Sequence, residues 1–427
     1  MKILFITRGS LVGSNNSGNT IINIFSGMEN VEFYNLFFRA EAPNTALCKA
    51  SCQMSEVSIL RRLKGGGDPV TVTEGQGTCT ADVSAEQEQS LYAKNRNQKS
   101  RLMWFGRELL WKTRLWHNKT FEDFVHMVKP DLIFMPSYGC WYPYEVLQAV
   151  HKLLPQVPVF LYHFDDNYSL HQRSFYPSFW AYRFILRRHI RKAEKIASKT
   201  YVISQVQKRD YEKMLKVPCS ILTKGADFSE EKKSPVCVHE PVRLCYTGNV
   251  GDGRLEILLK ISGALAKAGA GELHVYSATR LSESQQAQVD GDRHMIFHGA
   301  IAPEQVRGVQ EMADVLIHVE DFSRQNRMLT RHSISTKIFD YLGVPRCILA
   351  VGPKDIASMT FLQQEGAAVT VNDLAQLEKT VAELVGDKEK IAMQAEKAWQ
   401  YGKKTLDIKA IQSSLREDME CFVKGAL

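Results

Sequence analysis

Short runs of consecutive apolar residues alternate along this chain with segments whose apolar positions recur every three or four residues. The runs read as strands buried on both faces, and the three-to-four spacing reads as amphipathic helices. Predicted strands are Lys2–Thr7, Val31–Phe38, Leu132–Pro136, Pro158–His163, Lys199–Ser204, Val242–Thr247, Leu273–Ser277, Met295–Gly299, Ala313–Val319 and Arg346–Val351. Helical patterns lie between them at Thr20–Gly27, from Arg101 to Val125, at Gln205–Leu215, Leu255–Ala268, 374–400 and Leu406–Val423. Strand and helix alternating in this way predict an α/β protein with parallel sheets. Between Ala40 and Ser100 the periodicity is poor, with Gly65-Gly66-Gly67 and the polar stretch Thr71–Gln89. That segment reads as an irregular excursion, a lid or an acceptor-specific insertion.

The length changes this picture from one sheet to two. A chain of 427 residues exceeds one ordinary core, and the charged, proline-framed Phe228–Pro241 reads as a linker. The expected domains are 1–228 and 241–400, followed by a terminal helix in 401–427. Nine cysteines at irregular spacings form no metal signature, so free thiols in a reducing, cytoplasmic compartment are expected. The opening Met1–Thr7 is too short an apolar run for a signal peptide, and no run is long enough to span a bilayer. The net charge of +7 is unevenly placed, with the cationic excess gathered between Gln172 and Val217.

Candidate chemistry then follows from particular residues. The opening Ser333-Ile334-Ser335-Thr336-Lys337 places short hydroxyls and a lysine at a predicted helix start, where unpaired N–H groups and the helix dipole favour an anion. Asp340 follows on the same face, suited to a sugar's hydroxyls. The loop Arg8–Asn19, rich in glycine and serine and including Gly18, follows the first strand at the edge where parallel sheets bind ligands; a flexible surface loop is the alternative. His163 and Asp165 end another strand, where a base can deprotonate or orient an incoming hydroxyl; a structural turn is the alternative. The aromatics and cations of 175–199 suit an anionic membrane surface or simply a solvated basic face. No nucleic-acid motif accompanies them.

The order of the strand Ala313–Val319, a polar loop, Ser333-Ile-Ser-Thr-Lys-Ile-Phe-Asp-Tyr-Leu-Gly-Val-Pro345 and a further strand resembles the donor half of the retaining GT-B glycosyltransferases of family 4, in the capsule and exopolysaccharide form. The resemblance places Asp340 on the second glutamate of that family's glutamate-x7-glutamate segment and His332 on the first. Gly248-Asn249 stands where the family has glycine-arginine, with Arg254 supplying a later cation toward the donor diphosphate. Gly18 would approach donor phosphate and acceptor, and the backbone at Gly299 the nucleobase. Tyr201-Val-Ile-Ser204 and Ile221-Leu-Thr-Lys-Gly-Ala-Asp227 resemble the segments closing the family's first domain, with Lys224 in place of asparagine.

The resemblance implies two Rossmann-like domains facing across a cleft, with the 401–427 helix crossing back to the first. It also implies transfer of a sugar from a nucleoside-diphosphate sugar to a glycan or lipid-linked glycan hydroxyl, with retention. Phosphate would be held by Arg254, Ser335, Thr336 and Lys337, the ribose by Asp340, and the acceptor by His163 or Asp165. Fixed cations would replace a metal ion, and no cofactor is expected. The rival readings are a nucleotide-sugar 2-epimerase of the same fold and a non-catalytic nucleotide-sugar-binding module.

Overall fold

Strand β1 (Lys2–Thr7) is buried from Ile3 onward, as an apolar run at the centre of a covered parallel sheet must be. The computed structural model describes residues 1–12, 16–75, 101–228 and 238–425. They form two compact units, Met1–Thr223 with Gln412–Leu427, and Lys224–Ile411.

In the first unit, β1 is followed by α1 (Asn16–Phe25), β2 (Glu32–Phe37), β3 (Cys48–Met54), α2 (Glu56–Leu63) and β4 (Val70–Glu74). Then come α3 (Arg101–Lys112), α4 (Lys119–Val128), β5 (Leu132–Pro136), α5 (Tyr142–Leu153), β6 (Val159–His163), α6 (Pro177–Glu194), β7 (Lys199–Val202), α7 (Gln205–Leu215) and β8 (Cys219–Ile221). The strands lie in the order β4-β3-β2-β1-β5-β6-β7-β8, parallel except for β3 with β4. The order reverses between β1 and β5, the position where doubly wound sheets leave a crevice at the strands' C-terminal ends.

The region from 48 to 74 corrects the expectation of an irregular excursion, because β3, α2 and β4 extend the sheet there. Cys48-Lys-Ala-Ser-Cys-Gln-Met54 lacks a strong apolar signature, yet its small residues fit between β2 and β4, and Cys52 and Met54 are fully buried. Ser55 and Ser58 cap α2 reciprocally. Residues 76–100 of that excursion, 13–15 of the first loop and 229–237 of the linker lie outside the described residues.

The aromatic segment is mostly core. Trp111 and Trp116 are buried, and Trp111 stacks on Tyr142 at 4.4 Å. Glu108 fixes α3 to the rest, since its buried carboxylate accepts from the N–H groups of Trp141 and Tyr142 at the start of α5 and from Tyr182 Oη at 2.6 Å. A carboxylate at a helix N-terminus satisfies donors that the helix itself leaves unpaired.

The second unit runs β9 (Arg243–Thr247), α8 (Arg254–Ala268), β10 (Glu272–Tyr276), α9 (Glu283–Asp290), β11 (Met295–Gly299), α10 (Pro303–Glu311), β12 (Val315–Val319), α11 (Arg324–Thr330), α12 (Thr336–Leu342), β13 (Cys347–Val351), α13 (Ala357–Gln363), β14 (Val369–Val371), α14 (Leu377–Val385) and α15 (Lys388–Leu406). Its six-stranded sheet has the order β11-β10-β9-β12-β13-β14, all parallel. Here the order reverses between β9 and β12. A last helix, α16 (Ile408–Gly425), packs its later turns on the first unit. Asp418 there meets Lys199 at 2.9 Å and Tyr201 Oη at 2.6 Å, and Gln412 donates to the carbonyls of Ile24 and Ser26.

Candidate functional site

Each sheet carries polar chemistry at its reversal point. In the second unit it gathers around Gly248, the first residue after β9. Gly248 has φ +129°, and a side chain there would stand 2.9 Å from Lys337 Cδ, so only glycine lets the lysine lie across the strand end. Lys337 comes from the first turn of α12. Its Nζ accepts no bond; it donates to Tyr246 Oη at 2.8 Å and sits 4.1 Å from the centre of that ring, a cation–π contact. Tyr246 Oη in turn donates to the Asn249 carbonyl at 2.5 Å, which ties lysine and loop together.

Arg254 opens α8, after Gly253 with φ +78°. Its guanidinium lies 3.2 Å from Glu320, the first residue after β12. Burial and the Arg254 charge push Lys337 down to about 7, against the pull of Glu320. Burial, Lys337 and Arg254 hold the fully buried His318 well below the ordinary histidine range, and therefore neutral. Around Lys337 and Arg254 stand one buried carboxylate, Glu320, and one exposed carboxylate, Asp252, 3.8 Å from Arg254 Nη1; a further anion here would favour the charged lysine.

The remaining predicted residues sort themselves around this pair. The Asn249 side chain is spent on its own loop, accepting from Gly251 N at 2.5 Å and Thr279 Oγ1 at 3.2 Å. Asp340 is held by Lys224 Nζ at 2.5 Å. Gly299 ends β11 with φ +74° and open space around its Cα. His332 is fully buried ahead of α12. Ser335 does occupy the N-cap position, but it makes no side-chain cap bond; its N–H donates to Ser358 Oγ at 3.1 Å, and Thr336 is half-buried. With only seven residues, α12 is a weak dipole, and its N-cap is not closed by the Ser335 hydroxyl as expected.

In the first unit a cavity of about 340 Å³ opens at the ends of β1, β5 and β6. Its polar lining includes Thr7, Arg8, Ser10, Arg39, Asp165 and Asn167. Thr7 Oγ1 bonds Asn35 Oδ1 at 2.8 Å and the Gly9 carbonyl at 2.7 Å, which sets the turn after β1. Gly18 also lines the cavity, but from the first turns of α1 and not from a loop as predicted.

The five residues from His163 to Asn167 divide by role. His163 is fully buried, with Nε2 2.6 Å from Glu194 Oε1, while Thr200 Oγ1 donates to the other Glu194 oxygen at 2.7 Å. That burial corrects its expected part in acceptor chemistry, since no substrate hydroxyl reaches a ring enclosed in the core. Asp166 is structural as well, accepting from Ser169 N at 2.8 Å and Tyr211 Oη at 3.3 Å, with Arg183 at 3.6 Å. Asp165 alone of the two carboxylates faces the cavity. Asn167 Nδ2 donates to the Ser137 carbonyl at 3.1 Å and joins the β5 and β6 walls.

Tyr246, Glu320 and His318 in the second unit and Arg39 in the first were not anticipated from the sequence, whereas Arg8 was, as the opening of the loop after the first strand. Glu320 and Arg8 carried a usable signal, as the first residues after central parallel strands. Tyr246 lies inside an apolar strand and carried none.

No family model and no curated protein matches the sequence. Solved structures do. Anabaena HepE in complex with UDP matches at TM-score 0.62 and 12% identity, over 99% of this chain and 100% of that one. Sucrose-phosphate synthase from Thermosynechococcus elongatus matches at 0.63 and 11%, over the whole of both chains.

The fold is GT-B. At such identities the likeness concerns the fold, two parallel-sheet units with the strand orders given above, and assigns no residue its role.

Proposed function

We propose that this protein is a glycosyltransferase that takes a sugar from a nucleoside-diphosphate sugar and delivers it to a hydroxyl of a glycan or lipid-linked glycan. The observation carrying this reading is Lys337 lying against Gly248 at the end of β9, near enough to the Arg254 charge to be depressed by it. A leaving nucleoside diphosphate carries two to three negative charges, and its stabilisation by fixed cations is the main electrostatic task of the reaction. Supporting the reading, HepE of the same fold has been solved with UDP and with UDP-glucose.

On this reading Lys337 and Arg254 bind the diphosphate, with Ser335 and Thr336 beside them. Asp340, oriented by Lys224, takes the ribose, and the turn at Gly299 meets the base. Asp165 orients or deprotonates the acceptor hydroxyl in the first-unit cavity. Units 1–228 and 241–400 would then be the acceptor and donor domains. No residue role in this scheme calls for a metal or a cofactor, and retention of configuration follows the family resemblance.

The test is product analysis with UDP-, GDP- and ADP-sugars, with and without a panel of glycan and lipid-linked acceptors. Acceptor-dependent release of nucleoside diphosphate with a new glycosidic product is expected. Conversion of free donor to its 2-epimer without acceptor contradicts the reading, as does diphosphate binding with no turnover on any acceptor.

A further inference from the structure

Helix α6 has two faces that do different work. Its inner face includes Tyr182, Arg183, Leu186 and Ile190, all buried. Tyr182 Oη, whose proton goes mainly to Glu108 at 2.6 Å, shares it with the Gly139 carbonyl at 3.2 Å. Arg183 donates to the Ser169 carbonyl through Nε at 3.0 Å and to the Asp166 carbonyl at 3.2 Å. These bonds hold Gly139 and the loop after β6, and both are walls of the first-unit cavity.

The outer face is exposed and apolar at one end, cationic at the other. Ala181, Phe184, Ile185, Arg188, Lys192 and Lys195 follow one another at steps of one, three or four, which places them on a single stripe. Phe184 is 56% exposed and Ile185 38%, and just before the helix Phe175 projects fully and Tyr176 is 61% exposed. Single exposed apolar residues are ordinary in folded proteins, but four of them within eleven residues of chain that also carries an exposed cationic stripe are not.

Arg173, Arg188, Lys192 and Lys195 are exposed and make no ion pair among the described residues. From Arg173 to Lys195 the chain carries one acid, Glu194, and that is buried on His163 and Thr200. Aromatic rings suit the depth of lipid headgroups, and unpaired cations suit their phosphates. No helix among the described residues is long and apolar enough to cross a membrane, so the contact would lie along the surface.

We propose that this face of the first unit docks on an anionic lipid bilayer. Phe175, Tyr176, Phe184 and Ile185 enter the headgroup layer, while Arg173, Arg188, Lys192 and Lys195 meet lipid phosphates. The inner face of the same helix pins the cavity wall, so a lipid-borne acceptor would be taken up beside the surface that carries it. That consequence rests on the proposed glycosyl transfer. The docking itself does not, and it is measured without any donor.

The experiment is co-sedimentation of the full chain with phosphatidylcholine vesicles, with and without phosphatidylglycerol, at low and high salt. Binding to the anionic vesicles alone, released by salt, is expected. Replacing Arg188, Lys192 and Lys195 with Gln should weaken it by roughly fivefold per charge removed. The pair Phe184→Ser and Ile185→Ser should weaken it about tenfold or more. Lys404→Gln in the second unit, already paired with Glu365, should leave it unchanged. Absence of binding to anionic vesicles, or variants that bind like the wild type, overturns the proposal. So does binding to heparin or RNA without binding to vesicles. Because the salt response is read on the unaltered chain, a variant that failed to fold would not rescue the idea.

Discussion

The two reversal points differ in how much of their chemistry is already in place. At the end of β9, Lys337, Tyr246 and Asn249 form one chain of hydrogen bonds and Arg254 and Glu320 an ion pair, so the polar side chains there are already held. At the ends of β1, β5 and β6 there is also a cavity of about 340 Å³, lined in part by Asp165, Arg8 and Arg39, the last paired with Glu41 at 3.4 Å. On the proposed reading the contrast matches the ligands. A diphosphate is the same in every donor and rewards a rigid, charge-matched seat, whereas acceptors differ in shape and need room.

The largest expected effect is at the rigid site. Lys337→Met should lower turnover with any nucleoside-diphosphate sugar by about 100- to 1,000-fold, the usual cost of removing one preorganised donor to developing negative charge. The melting temperature should hardly move, because that lysine is poorly solvated where it stands. If turnover survives, the rigid half of the contrast is lost.

Next comes a paired test in the first unit. Asp165→Asn should reduce kcat by about 100-fold or more while donor KM stays unchanged, as expected for a general base or orienting carboxylate. His163→Gln should do the reverse, costing about 2 to 3 kcal/mol of stability through the loss of its bond to Glu194 and sparing chemistry in the protein that remains folded. An unstable Asp165→Asn, or an inactive but stable His163→Gln, would exchange the roles given to the two residues.

A smaller effect concerns pH. Unliganded Lys337 is pushed down to about 7, and a bound diphosphate favours its charged form and raises that value. Binding therefore takes up a proton, and nucleoside-diphosphate affinity should fall as pH climbs above about 7, by at most tenfold per unit. Lys337→Met should remove the dependence.

The smallest effect is expected from Lys224→Met. It frees Asp340, which is partly exposed and remains in place. Donor KM should rise a fewfold with kcat retained.

How much of this was legible in the sequence depended on distance along the chain. The strands of both cores announced themselves, because a strand buried on two faces must be apolar throughout. The helix carrying Lys337 was legible from its polar opening. What the lysine rests on was not, since Tyr246 lies 91 residues earlier and inside an apolar strand. His163 was placed correctly at a strand end and misjudged in role, because Glu194, 31 residues later, is what encloses it. Asp165 and Asp166 are adjacent and alike in sequence. Only the packing of Ser169, Arg183 and Tyr211 around one of them tells them apart. The strands in 48–74 escaped notice because small and polar residues can fill a sheet when neighbouring strands supply the apolar cover.

The central claim is a diphosphate seat built on Lys337. Calorimetric titration of UDP, GDP and ADP into the protein, in two buffers of different ionisation enthalpy at a pH slightly above 7, tests it most directly. Binding of at least one nucleotide with net proton uptake is expected, with loss of both affinity and uptake in Lys337→Met. Binding that is unaltered in that variant, or accompanied by no proton exchange, would contradict it.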